Sequence, residues 1–160
     1  MMESVEEFLA YAVKLESEAA DRFGQLADVM QASGNGAVGK LFRQLSEYSR
    51  MHQAEAQARS GFRDIPKLSP TDFVWPDLES PEAAAIWAAD PMLGRGEALE
   101  VAMQAELAGL RYYQAVLDTT DDPEIKALAK EFVAEESEHV AALERWIAAH
   151  KAGRPLPIDA

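Results

Sequence analysis

Apolar residues recur at three- and four-residue intervals in four long stretches of this chain, and each stretch predicts an amphipathic helix. The first starts near Val5, behind the capping box of Ser4 and Glu7, and shows Val5, Phe8, Leu9, Ala12, Ala19, Ala20, Phe23, Leu26 and Met30 on one face. Ser33-Gly34-Asn35-Gly36 ends it in a turn. The second, over about 37–60, carries Val38, Leu41, Phe42 and Leu45, then Ser49, His52 and Ala56, with Tyr48 and Glu55 at the edges of the stripe. The third, over about 97–118, carries Leu99, Ala102, Met103, Leu110, Tyr113 and Leu117. The fourth begins at the cap Asp122-Pro123 and reaches about His150, with Leu128, Phe132, Val140, Leu143 and Ile147 on one face.

Residues 62–94 break the pattern. Pro66, Pro70 and Pro76 exclude a long helix there, while Phe73 and Trp75 offer anchors for an extended segment laid over the other elements. Ser80-Pro81 predicts a short helix through Ala89, which contains Trp87. Two short turns and one long crossover, 61–95, make the expected fold all-α, one domain over 1–160: a four-helix bundle of two helical hairpins with ferritin-like connectivity. A weak internal repeat supports two hairpins. Matching Glu16 to Glu106 pairs Ala12 with Ala102 and Phe23 with Tyr113; matching His52 to His139 pairs Leu45 with Phe132 and Ser49 with Glu136.

The apolar stripes are interrupted by ionisable residues near their centres. These are Glu16 on the first helix, His52 on the second, Glu106 on the third, and Glu136 with His139 on the fourth. Three residues along a helix turn the chain by ~300°, so Glu136 and His139 lie one above the other. Burying an unpaired carboxylate costs several kcal/mol, and three together repel. Lys14, Arg50, Arg111, Lys130 and Arg145 all rotate away from the stripes, which leaves a bound cation as the compensating charge. Mixed carboxylate and imidazole donors suit iron, manganese or zinc better than magnesium or calcium. Taken singly, each residue has a bland explanation: a helix-edge carboxylate, a satisfied core histidine. The conjunction on all four helices is what points to metal. His150 fits a simpler role, an imidazolium at the last helical turn.

Composition narrows the field further. The formal charge of −13 argues against nucleic acid or an anionic membrane as partner. The absence of cysteine removes disulfides, thiolate ligands and iron–sulfur clusters. No apolar run approaches the ~18 residues of a membrane span, and the acidic start MMESVEEFLA does not read as a secretory signal, so a cytoplasmic protein is expected.

With these residues in place the sequence resembles the rubrerythrin family of ferritin-like di-iron carboxylate proteins, over about 4–60 and 95–150. The resemblance implies that Glu16, in LESEAADRF, and Glu106, in AELAGLRYY, are the single-glutamate ligands. It implies that Glu136 and His139 are the fourth-helix pair and His52 the second-helix imidazole. The family's glutamate three residues before that imidazole is Ser49 here, with Glu55 or water as the substitute. A further third-helix carboxylate of the peroxide-reducing members corresponds to Gly109, and with no cysteine there is no rubredoxin-like module. By resemblance the expected function is a di-iron oxidoreductase acting on peroxide or O₂, fed by an external electron donor and assembled as a homodimer. Two alternatives stand beside it: a metal-binding or iron-handling protein without turnover, and a metal-free helical interaction module.

Overall fold

The computed structural model describes residues 4–59 and 94–156 of the chain. Those residues form four helices: α1 (Val5–Ala32), α2 (Gly36–Ala58), α3 (Arg95–Thr119) and α4 (Pro123–Lys151). Each boundary lies within two residues of its sequence expectation, and the reasons are local. The Ser4 hydroxyl accepts from the Glu7 amide at 3.1 Å and caps α1. Asp122 caps α4 by accepting from the amides of Glu124 at 2.8 Å and Ile125 at 3.3 Å, with Pro123 in the first turn. At the other end of α1, Gly34 takes φ 79° while the Asn35 amide returns to the Met30 carbonyl at 2.7 Å. The crossover, its short helix over 81–89, and the anchors Phe73, Trp75 and Trp87 lie outside the described residues.

α1 packs on α2 and α3 on α4, and the two hairpins close on one another as a four-helix bundle. Gly39 allows the α1–α2 approach, because a Cβ there would stand 3.2 Å from the Ala27 carbonyl oxygen and 3.1 Å from Gln31 Cγ. Apolar packing then divides into two compartments. One holds Phe23, Met30, Leu41, Phe42, Leu99 and Leu143; Phe23 and Phe42 stack there with centroids 5.9 Å apart. The other holds Phe8, Leu9, Leu15, Tyr113, Ile125 and Phe132, with Phe8 stacked on Phe132 at 5.6 Å.

Every helix passes from one compartment to the other, and every helix changes character at the crossing. The residues at the boundary are Glu16 on α1, Ser46, Ser49 and His52 on α2, Glu106 on α3, and Glu136 and His139 on α4. A polar layer therefore lies across the middle of an apolar bundle. The apolar face of α3 is shifted slightly from its expectation: Leu110 and Leu117 are half-buried, while Ala105 and Gly109 are buried. Small residues there let α3 sit close, and the larger side chains move to the flank. No described helix is long and apolar enough to cross a membrane.

Candidate metal centre

Within the polar layer α3 and α4 bring Glu106, Glu136 and His139 together, with one donor atom from each inside 4.8 Å of the others. The Nδ1 of His139 lies 3.4 Å from Glu106 Oε2 and 3.5 Å from Glu136 Oε2. Glu106 and Glu136 are 9% and 3% exposed, well below the ordinary exposure of a glutamate. Glu106 Oε2 and His139 Nδ1 are both buried, and beyond their contacts within this group neither has a further hydrogen-bond partner among the described residues. Buried polar atoms without partners are rare in folded proteins, and converging donors of this kind fit a cation.

The other hairpin contributes Glu16 and His52, with His52 Nδ1 3.8 Å from Glu16 Oε2. The two halves meet through their imidazoles. The His52 and His139 rings stack face to face, centroids 3.9 Å apart and planes 15° from parallel. Ser49, one turn before His52, is buried at 3% exposure. Glu55 lies exposed on the rim of α2, so its carboxylate acts on the layer only through its field. Tyr113 is packed against Phe132 with centroids 5.3 Å apart, as part of the apolar wall.

The cations of the neighbourhood point elsewhere. Lys14 pairs with Glu18 at 3.4 Å, and Arg50 with Asp21. Among the described residues, the largest charge effects on His52 and Glu106 therefore come from the layer's own members. Burial lowers the His52 pKa, but the Glu16 carboxylate beside it, with Glu106 and Glu55 further off, outweighs burial and leaves it above 6.5. Burial raises the Glu106 pKa, yet hydrogen bonding with Glu136 and His139 and the two imidazoles hold it below 4.5.

Two openings reach the layer. A cavity of about 320 Å³ is walled by Leu45, Tyr48, Met51, Ala142, Leu143 and Trp146 and floored by His52, Glu106 and His139. It gives a small molecule access to the second hairpin's donors. A second space, of about 10 Å³, is lined by Glu16, His52, Ala56, Tyr113, Phe132, Glu135 and Glu136. That is room for one water or one ion.

Glu135 is the residue that sequence reasoning missed. It stands four residues before His139, hence on the α4 face that meets α2, and the doublet Glu135-Glu136 was the available signal. Its carboxylate lies 3.7 Å from Arg59, which also holds Glu131 at 3.1 Å. Burial and the nearby Glu55 raise its pKa, against the pull of Arg59 and the two imidazoles.

Comparison with known proteins agrees with the bundle. The family model described as Rubrerythrin matches residues 7–79, a span that includes Glu16, Ser49 and His52. A solved structure, that of an uncharacterized conserved protein from Magnetospirillum magnetotacticum MS-1, is 36% identical in sequence with a TM-score of 0.67. The match covers 97% of this chain and 98% of that one. No curated protein matches. With a polar layer of carboxylates and imidazoles across an all-α bundle, and a family match on the first hairpin, the chain belongs to the rubrerythrin family.

Proposed function

We propose that the polar layer binds two redox-active metal ions, iron in the first place and manganese as the substitute, and that the protein reduces peroxide or O₂. The observation that carries this reading is the buried group Glu106, Glu136 and His139, whose donor atoms converge within 4.8 Å of one another. Glu106, Glu136 and His139 would hold one ion. Glu16 and His52 would hold the other, with Glu136 shared, since it also lines the small space beside them. A bound metal pair supplies two electrons and a Lewis acid for cleavage of an O–O bond. Reduction of H₂O₂ to two waters consumes those two electrons and two protons, and an external donor restores the electrons.

The chain's own residues do the rest. The apolar walls around Tyr48, Met51 and Trp146 would admit a small neutral oxidant to the layer. The carboxylates of Glu106 and Glu136 stand on either side of the His139 imidazole, 3.4 and 3.5 Å from its Nδ1, next to where oxygen would be reduced. The test is metal content and peroxide consumption measured on the same preparation. Iron-loaded wild type is expected to consume H₂O₂ with an added reductant, and Glu136→Ala to lose both the metal and the activity. Loaded wild type that leaves peroxide and O₂ untouched would end the redox reading.

Ser49 favours a second reading, in which the protein binds metal without turnover. A buried serine where the fourth helix carries Glu136 gives the first hairpin one carboxylate fewer, so one tight ion and no redox pair would result. About one ion per chain with no peroxide consumption is its signature.

A further inference from the structure

The first hairpin is short of a carboxylate, and the missing group has a visible source on another helix. The space of about 10 Å³ beside His52 is walled by three carboxylate residues, Glu16, Glu135 and Glu136, together with the imidazole. Glu16 and Glu136 are 4% and 3% exposed, so two of those carboxylates are sealed in the bundle. One wall is apolar, formed by Ala56, Tyr113 and Phe132. A space of one-atom size with an acidic and imidazole lining on its other side is shaped for a small cation rather than an organic ligand.

Ser49 cannot supply a strong ligand, because a neutral hydroxyl carries no charge to offset a divalent ion. Glu55 is exposed at the rim. Glu135 is the remaining candidate, and its placement is not accidental to the fold. Phe132, Glu135 and His139 follow one another at three- and four-residue steps on the same side of α4, facing α2. His139 stacks on His52, so Glu135, one turn earlier on α4, is set over Ala56, one turn later on α2. Arg59, at the C-terminal cap of α2, reaches Glu135 at 3.7 Å, a looser contact than its 3.1 Å pairing with Glu131. Glu131 can keep the guanidinium while Glu135 turns inward.

The geometry points to Glu135 as a metal ligand that takes the place of the missing carboxylate at Ser49, completing a second position of Glu16, His52, Glu135 and shared Glu136. This inference rests on the metal reading of the polar layer and adds a donor from outside the pattern. The first hairpin's ion is thereby held partly by the other hairpin, and its release is tied to the Arg59–Glu135 contact.

The test is Mn²⁺ binding to the full chain, by equilibrium dialysis with elemental analysis and by electron paramagnetic resonance, for wild type, Glu135→Gln and Glu131→Gln. Two Mn²⁺ per chain with a spin-coupled spectrum are expected for wild type, and also for Glu131→Gln but with the second ion held somewhat more weakly, because loss of Glu131 leaves Arg59 to Glu135. Glu135→Gln is expected to bind one ion with an isolated six-line spectrum, or to hold the second tenfold or more weakly. Far-UV circular dichroism of the metal-free variants should be unchanged, since glutamine keeps the side chain's size. Two ions with unaltered affinity in Glu135→Gln would overturn the assignment and leave the metal reading standing. One ion in wild type would overturn the second position itself. No ion in wild type would overturn both.

Discussion

The two hairpins carry the same layout, a glutamate on one helix and a polar pair three residues apart on the next, but they differ in charge. The second hairpin sets two carboxylates, Glu106 and Glu136, against one imidazole. The first sets Glu16 against His52 alone, because Ser49 stands where Glu136 stands in its counterpart. An imidazolium and one carboxylate balance each other, and the Glu16 carboxylate 3.8 Å from His52 holds its pKa above 6.5. Two carboxylates and one imidazole do not balance, and among the described residues Glu106 Oε2 and His139 Nδ1 find only each other and Glu136, at 3.4 and 3.5 Å. The first half thus sets one carboxylate against one imidazole, whereas the second sets two, and a cation there would offset the surplus charge. A single replacement, glutamate by serine, is enough to separate these behaviours.

The largest effect that would test this contrast comes from removing the residue both halves touch. Glu136→Ala is expected to abolish binding at both positions, taking about two ions per chain to none, because this carboxylate lines the small space of the first half and belongs to the cluster of the second. Glu16→Ala, by comparison, should cost only the first hairpin's ion. Elemental analysis after dialysis distinguishes them. Equal losses in the two variants would mean that the halves bind as one unit, and the contrast between them would fail.

Restoring the symmetry should have a smaller effect of opposite sign in two observables. Ser49→Glu places a further carboxylate in the layer at a site that is 3% exposed. Metal-free protein should lose roughly 2 kcal/mol of stability or more, because the new charge is buried among others. Metal-loaded protein should gain, with the first hairpin's ion held at least about tenfold more tightly. Urea denaturation with and without Mn²⁺ reads both. Destabilisation in both states would show that Ser49 was selected by space and not by charge.

How much of this was legible in the sequence follows from the physics of each part. The four helices were, because Ser4, Gly34 and Asp122 act within a few residues of themselves, and an amphipathic stripe repeats often enough to declare its period. The positions of Glu16, His52, Glu106, Glu136 and His139 at one level were too, since each interrupts an apolar stripe near its midpoint. Distances were not. That His139 lies within 3.5 Å of two carboxylates while His52 reaches only one depends on helix rotations that periodicity leaves open by tens of degrees. Glu135 was missed for the same reason. It interrupts no apolar stripe, and only the meeting of α2 and α4 side chains at the His52–His139 stack sets it on the wall of the small space beside the layer. Glu55 was the reverse case, plausible by spacing and exposed in the bundle.

The smallest expected effect is on the pH dependence of metal-free stability, and it separates the hairpins by the side of the profile on which each acts. His52 has a folded pKa above its ordinary 6.5, against the pull of burial, because of Glu16. Its contribution is fully present below 6.5 and is lost as pH rises through the folded value. Glu106, despite burial, has a folded pKa below its ordinary 4.5 because of its bonds to Glu136 and His139 and the nearby imidazoles. Its contribution is present above 4.5 and is lost as pH falls through the folded value. These two groups together favour a window between about 4.5 and 6.5, closed from the alkaline side by the first hairpin and from the acid side by the second. Chelator-treated protein unfolded in urea across pH 4–8 should show the His52 flank disappear in His52→Ala, with the acid flank kept. In Glu106→Gln the acid flank should flatten while the alkaline one persists. If either variant flattened both flanks, the layer would titrate as one coupled unit and the two hairpins would not be electrostatically distinct.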